Sequence, residues 1–128
     1  MSPAARQLFA HHLYEYRKGV RQMAMLTLGA EEAPQAAARL AGESIAHFIQ
    51  TVNPRKVNLF FGRPAFVETA RRLVTKPLNH LSPAEDFILG TLLGYDREQQ
   101  CQRFLDQMER GGWAGLPPSG SEGRAAAA

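Results

Sequence analysis

Apolar residues recur every three or four positions over several stretches of the chain. This spacing predicts amphipathic helices, and the stretches that show it are residues 4–18, 34–52 and 64–74. In the first stretch, Phe9, His11 and Leu13 also alternate with other residues, so a strand over residues 8–16 is the alternative to the helix. Asn53-Pro54 follows the second stretch as a stop and turn signal.

Two shorter stretches have a period of two, which is typical of strands. Residues 20–28 become apolar on both faces towards their end, which predicts an interior strand. Lys56–Gly62 is the clearest strand pattern of the chain, and Leu78–Leu81 is a candidate for a third, short strand.

Residues 82–107 carry the most complete local signals and predict a pair of helices. Ser82 and Glu85 have the spacing of an N-terminal capping box, with proline at the first helical position between them. Gly94 ends this helix and Asp96 caps the next one. The apolar stripe predicted for the second helix consists of Cys101, Phe104, Leu105 and Met108.

The predicted elements follow the order α-β-α-β-α-(β)-α-α, which indicates an α/β fold. A strand, a helix and a second strand of these lengths predict a right-handed parallel βαβ unit. We therefore expect a small two- or three-stranded sheet with a parallel βαβ unit, covered by about five helices. Because so small a sheet has unpaired edges, we also expect a homodimer, formed by edge pairing or by the helix pair.

Length and composition set the domain organisation and the expected compartment. Residues 1–111 are predicted to form a single α/β domain, and residues 112–128, rich in Gly, Pro, Ser and Ala, a disordered tail. The single cysteine excludes an intrachain disulfide and fits a reducing, cytoplasmic setting. No apolar run approaches the length of roughly 18 residues that a membrane span needs.

Positive charge is concentrated in the middle of the sequence. Residues 53–76 contain six basic side chains against one acidic, whereas residues 77–111 contain three basic against six acidic. This distribution suits an acidic partner, or two copies that complement each other, or simply solvated faces. The candidate docking residues are Arg55, Lys56, Arg71, Arg72 and Lys76. Nucleic acid is a weaker alternative, because the nearby phenylalanines lie at core spacing and make poor stacking platforms.

In a parallel α/β sheet the ligand crevice lies beyond the carboxyl ends of the strands. The residues that follow the three predicted strands are polar and of mixed charge, and we expect them on one rim. They are Thr27, Gly29, Glu31 and Glu32 after the first strand, Gly62 and Arg63 after the second, and Asn79, His80, Ser82, Glu85 and Asp86 after the third.

Two kinds of chemistry are candidates on this rim. Gly62-Arg63 at a helix start suggests an anion site, although Pro64 removes one backbone donor and a plain strand-to-helix turn explains the same residues. His80 beside Glu85 and Asp86 suggests a general base oriented by a carboxylate. Acidic residues in a first helical turn are also explained by the helix dipole.

Histidine and cysteine offer weaker candidates. His11 and Glu15 share a helix face and His12 is adjacent, but two ligands do not make a metal site, and we expect no metal. His12 fits a half-buried position on the apolar stripe. Cys101 fits a small core residue, with a thiol or redox role as the alternative.

Several stretches resemble a small bacterial family that is known only as a domain of unknown function. They are His11-His12-Leu13-Tyr14-Glu15-Tyr16 with Lys18-Gly19, Lys56–Gly62, and Glu85–Gly90 with Leu93–Asp96 and Cys101. The resemblance implies a compact α/β domain and a homodimer, and it brings no known activity or cofactor. It also implies a genomic neighbourhood with flavodoxins, hence a redox or iron-limitation setting.

The sequence thus favours a non-enzymatic accessory protein without a cofactor that docks an acidic partner, for which a flavodoxin is the named candidate. Weak redox encounters are small and steered by charge. A small anionic ligand or an enzymatic site on the rim is the second hypothesis, and nucleic-acid binding is the third.

Overall fold

The strand Lys56–Gly62 is the centre of a three-stranded sheet in the computed structural model, which describes residues 1–111. In chain order the elements are α1 (Pro3–Arg17), β1 (Met23–Gly29), α2 (Ala33–Gly42), β2 (Ala46–Asn53), β3 (Lys56–Gly62), α3 (Pro64–Leu73), a 3₁₀ helix (Leu78–His80), α4 (Pro83–Leu92) and α5 (Arg97–Arg110). The described residues confirm the α/β class, the small sheet and the number of helices.

The described residues form two compact units. The first contains residues 1–75 and 92–94, and the second contains residues 76–91 and continues from Tyr95. That residues 1–111 form a single domain stays a prediction, and the tail predicted over residues 112–128 lies outside the described residues.

All strand pairs of the described sheet are antiparallel, so the predicted parallel βαβ unit is wrong. The order across the sheet is β1-β3-β2. A tight turn at Pro54-Arg55 joins β2 to β3, and β1 pairs with β3 from Met23↔Gly62 to Gly29↔Lys56. The physical reason is the additional strand, because a hairpin rather than a helical crossover leads into β3.

The predicted helix over residues 34–52 is wrong in its second half. The helix α2 ends at Gly42, and the chain continues as β2. Between the two elements Ser44 adopts φ 59°, a left-handed conformation that a helix does not contain. The aromatic and β-branched residues that follow then pair with β3.

The helix predicted over residues 4–18 is confirmed as α1, and the strand alternative for residues 8–16 is wrong. Its first turn is capped by Ser2, whose hydroxyl accepts a hydrogen bond from the backbone N–H of Ala5 at 3.1 Å. Phe9 and Leu13 are its buried residues. The predicted strand over residues 20–28 is β1, which begins later, at Met23.

One face of the sheet carries the main apolar core of the first unit. Both α1 and α2 pack on this face. The buried cluster is Phe9, Leu13, Ala24, Leu26, Leu28, Ala33, Ala36, Leu40, Val57, Leu59 and Phe61. Because Val57, Leu59 and Phe61 alternate along β3, this core confirms the period-two prediction for that strand.

The opposite face of the sheet is covered in part by α3. Phe60 is fully buried there and stacks on Phe48 of β2, with ring centroids 4.5 Å apart and ring planes 4° from parallel. Towards the hairpin the same face becomes polar: Thr27 donates a hydrogen bond to Asn58 at 2.7 Å, and Asn58 donates one to Gln50 at 3.0 Å. A row of hydrogen bonds therefore crosses all three strands.

The second unit contains the predicted helix pair, and both predicted caps are confirmed. Ser82 and Glu85 form a reciprocal capping box, with N–H to side-chain distances of 2.8 and 3.1 Å. Asp96 accepts the backbone N–H of Gln99 at 2.9 Å. The third strand predicted at Leu78–Leu81 is wrong, because Leu78–His80 is a 3₁₀ helix.

Candidate protein-docking surface

The predicted rim of strand ends does not form, because β1 and β3 run in opposite directions. Gly29, at the end of β1, is opposite Lys56, at the start of β3. Gly62, at the end of β3, is opposite Met23, at the start of β1. The residues that follow β1 and those that follow β3 therefore lie at opposite ends of the sheet.

The acidic residues after β1 serve the local structure. The Glu32 carboxylate accepts the backbone N–H groups of Ser2 at 2.8 Å and of Gly29 at 3.0 Å. These two hydrogen bonds lower the pKa of Glu32, the bond from Ser2 more than that from Gly29. Glu31 is exposed, and Thr27 is exposed in β1 with its hydroxyl bonded to Asn58.

Gly62 and Arg63 both contact Gln22, the residue before β1. Gly62 has φ +153°, and a Cβ atom there would lie 2.4 Å from the backbone oxygen of Gln22. The backbone N–H of Arg63 donates to that same oxygen at 2.9 Å, and its guanidinium donates to the Gln22 side chain at 2.8 Å. One of the backbone donors needed for anion binding is thus already used, and anion binding by Arg63 stays a prediction.

Asn79 and His80 are exposed on the 3₁₀ helix of the second unit. The carboxylates predicted to orient His80 have other partners. Glu85 accepts from Ser82 and pairs with Lys76 at 3.0 Å, and both contacts lower its pKa, the Ser82 bond more strongly. Asp86 pairs with Arg103 at 2.6 Å. Within residues 1–111, His80 makes no side-chain hydrogen bond or ion pair with either carboxylate.

A group of titratable side chains lies at the end of α1. Glu15 pairs with Arg21 at 2.8 Å and with His11 at 3.3 Å, and the Arg21 hydrogen bond is the main cause that lowers the pKa of Glu15. Arg21 also donates to the backbone oxygen of Leu93 at 2.9 Å. This group fixes the loop after α1, and no set of three or more His, Cys, Asp or Glu among residues 1–111 is placed to hold a metal ion.

His12 is half-buried beside this group, as its place on the apolar stripe predicted. Its Nδ1 atom is buried and has no hydrogen-bond partner. Burial lowers the pKa of His12, the Arg21 guanidinium and His11 lower it as well, and Glu15 raises it.

The predicted docking cations are in three different settings. Arg71 and Arg72 of α3 share the single carboxylate of Glu68, at 3.1 and 3.0 Å. Lys76 is paired with Glu85. Arg55 and Lys56, in the turn between β2 and β3, are exposed and form no ion pair with any residue in the described range 1–111. These two cations are therefore the most available for an acidic partner.

The turn that carries Arg55 and Lys56 is held in one shape. The Asn53 side chain accepts both of their backbone N–H groups, at 2.8 and 3.0 Å. The backbone oxygen of Arg55 accepts the N–H of Ala30 at 2.7 Å. Val52 is left out of the strand register between Thr51 and Asn53, and its side chain is 51% exposed.

We call this the hairpin tip surface, defined by residues 52–56. It combines one exposed apolar side chain with two free cations on a turn that internal hydrogen bonds preorganise. Sequence reasoning found the two cations but missed Val52, because residues 34–52 were interpreted as one helix. The run of aromatic and β-branched residues from Ile45 to Val52 is the signal that could have shown the strand.

Cys101 is exposed on α5, so its predicted place in a core stripe is wrong. In the second unit Phe104 faces Phe87 of α4, with ring centroids 5.8 Å apart, and Gln100 is the buried residue of α5. The buried side of α5 is thus rotated away from Cys101 and Leu105, which is 53% exposed.

Comparison with known proteins gives a family but no activity. A family model described as "Protein of unknown function (DUF2023)" matches residues 7–107. No curated protein matches the chain. None of the helices within residues 1–111 is long and apolar enough to cross a membrane.

Proposed function

We propose that this chain, which belongs to the DUF2023 family of proteins of unknown function, is a non-enzymatic accessory protein that docks an acidic protein on its hairpin tip surface. The observation that carries the proposal is the pair of free cations, Arg55 and Lys56, beside the exposed Val52. An exposed apolar residue with cations beside it is complementary to an acidic surface patch on a partner.

The charge of the first unit favours the same partner. Residues 1–75 contain ten basic and five acidic side chains. Two of the carboxylates are each shared by two arginines, Glu43 by Arg17 and Arg39, and Glu68 by Arg71 and Arg72. The first unit therefore keeps a positive surplus, which attracts an acidic protein over a distance set by the ionic strength.

The fixed shape of the turn also supports docking. Because Asn53 holds the backbone of Arg55 and Lys56, little conformational freedom is lost when a partner binds there. A partner that contacts only this turn buries a small area, which is typical of transient redox and signalling encounters. The partner class suggested by the family resemblance, a flavodoxin-type electron carrier, is acidic and forms encounters of this kind.

The test is a titration of a flavodoxin with the full-length chain at low and at physiological salt. We expect binding that weakens with salt, and an Arg55→Ala/Lys56→Ala variant that binds about threefold to tenfold more weakly at low salt. The matched control is Arg6→Ala/Lys18→Ala, which removes the same charge from α1 and from the residue that caps its C-terminus. It should bind like the unchanged chain.

Two results would contradict the proposal. One is no binding at low salt. The other is an equal loss in both double variants, which would mean that only the net charge matters. A parallel titration with duplex DNA distinguishes the partner class, because tighter binding to DNA than to flavodoxin would replace an acidic protein with nucleic acid.

A further inference from the structure

The two outer strands of the sheet differ sharply in exposure. Both β1 and β2 have β3 as their only neighbour among the described strands. Four of the seven residues of β1 are buried, whereas none of the eight residues of β2 is buried. The outer edge of β2 is therefore the more exposed of the two outer edges of this sheet.

The β2 strand also lacks the usual protection of an open edge. Exposed edges in soluble proteins carry charged side chains, proline or bulges that prevent pairing with another chain. Residues 46–53, AHFIQTVN, contain no Asp, Glu, Lys, Arg or Pro. The irregularity at Val52 interrupts only the end of the strand, so residues 46–51 remain regular and uncharged.

We propose that β2 pairs in antiparallel fashion with β2 of a second copy of this chain, which joins two three-stranded sheets into one sheet of six strands. The two-fold axis pairs each β2 residue near it with a residue of β2 in the second copy. A charged residue near the axis would meet its own like charge, and β2 has none.

Symmetry restricts the register. Opposite residues in an antiparallel pair lie on the same face of the sheet, so the axis must pass through a residue pair i, i. We place it at Ile49, because this register buries the most exposed large apolar side chain of the regular part, which is 41% exposed. His47 then lies opposite Thr51 of the second copy, and Phe48 lies opposite Gln50.

A cation that lies beside Phe48 of β2 already has a counter-ion. The Arg71 guanidinium lies 5.2 Å from the centre of the Phe48 ring, and it shares the Glu68 carboxylate with Arg72. In the proposed dimer, Arg71 therefore lies near the second copy with its charge already balanced by Glu68. In this register the regular paired segment is residues 47–51, and it ends there because the strand is irregular at Val52. Residues 52–56 lie beyond this segment, so self-pairing leaves the hairpin tip surface free and does not depend on the proposed function.

The first experiment measures mass in solution by light scattering on the full-length chain. We expect a mass of two chains of 14.1 kDa at micromolar concentration. Ile49→Lys should reduce the mass to one chain, since it places two like charges at the axis. Val52→Lys is the matched control: it adds the same charge at a similarly exposed apolar residue outside the paired segment, and it should keep the mass of two chains.

The second experiment reads the register directly and does not depend on the lysine variants. In a Cys101→Ser background, Ile49→Cys should form an intermolecular disulfide under mild oxidation. The two cysteines would lie directly opposite each other at the axis, within the Cα–Cα distance that a disulfide spans. Val52→Cys should crosslink far more slowly. A wild-type mass of one chain, a mass of two chains for Ile49→Lys, or equal crosslinking at residues 49 and 52 would each overturn the proposal.

Discussion

Gly90 of α4 lies directly against the side chain of Gln100 of α5. A Cβ atom at Gly90 would lie 1.9 Å from Oε1 of Gln100 and 2.4 Å from its Cδ. Gln100 is only 7% exposed, so its side chain has little room to move away. Glycine inside a helix costs about 1 kcal/mol relative to alanine, and here the close approach of the two helices explains why it is present.

Gly90→Ala should therefore destabilise the protein despite the better helix propensity of alanine. We expect the free energy of unfolding to fall by about 1–3 kcal/mol, the usual cost of overpacking. Gly90→Ala/Gln100→Ala should recover part of this loss, because the clashing side chain is then absent. Urea unfolding monitored by circular dichroism measures both effects.

Gly42→Ala is the control for this comparison. Gly42 is the last residue of α2, and nothing lies within 4 Å of a Cβ atom placed there. Alanine should stabilise the protein at this position by about 0.4–1 kcal/mol. A stabilising Gly90→Ala would show that α4 and α5 are not in such close contact.

Asn58 should be the most sensitive polar residue of the sheet. It is 5% exposed and bridges Thr27 and Gln50 across the three strands. Asn58→Ala removes both hydrogen bonds at a buried position, and we expect a loss of about 1–3 kcal/mol in the free energy of unfolding. Thr27→Ser keeps the hydroxyl that donates to Asn58 and should cost clearly less. Equal losses in the two variants would argue against the bridge.

The stability of the protein should fall as the pH decreases through the ordinary histidine range. Burial lowers the pKa of His12 in the folded protein, so the unfolded chain takes up the proton first. The stabilising effect is complete above that range and is lost as the pH falls towards the lower, folded pKa. His12→Gln should flatten the dependence of stability between about pH 7.5 and about pH 5.5.

The measurement is a set of urea unfolding curves across this pH range. His80→Gln, at an exposed histidine, is the matched control and should keep the wild-type profile. The carboxylates whose pKa is lowered also make the stability fall as the pH decreases, but they do so at a lower pH than the histidine range. They are Glu15, Glu32, Glu43, Glu68 and Glu85. An unchanged slope in His12→Gln would contradict the assignment.

Cys101 should react with a thiol reagent in the folded protein. Its side chain is exposed, whereas a cysteine on a core stripe would be protected until the protein unfolds. We expect complete modification by Ellman's reagent without denaturant. Reaction only in urea would show that α5 is rotated from its described orientation, and Cys101→Ser provides the blank.

Local signals in the sequence predicted single elements well. The capping residues Ser82, Glu85 and Asp96 have side chains that meet neighbouring backbone groups within a few residues. The alternation in Lys56–Gly62 is equally decisive, because Val57, Leu59 and Phe61 all lie on the face of the sheet that carries the main core. Such features depend on nearby residues alone, so the order of residues is sufficient to reveal them.

The error in residues 34–52 had wider consequences. Ile45, Phe48, Ile49 and Val52 have the spacing of a helix face, so apolar periodicity alone predicts a helix here, and only the aromatic and β-branched composition of residues 45–52 favours a strand. Pairing with β3 decides between them, which is a tertiary effect. One missed strand then reversed the inferred direction of β1 relative to β3, and the predicted ligand rim depended on that direction.

The turn that Asn53 stabilises affects the order in which the strands fold. The Asn53 side chain closes the turn between β2 and β3 within four residues, so this hairpin loses little chain entropy when it forms. The first strand must instead be brought in across the whole of α2 and β2 before it can pair. We expect the hairpin to assemble first and the N-terminal strand to join it later, so the strand that is hardest to recognise in the sequence is among the earliest to form.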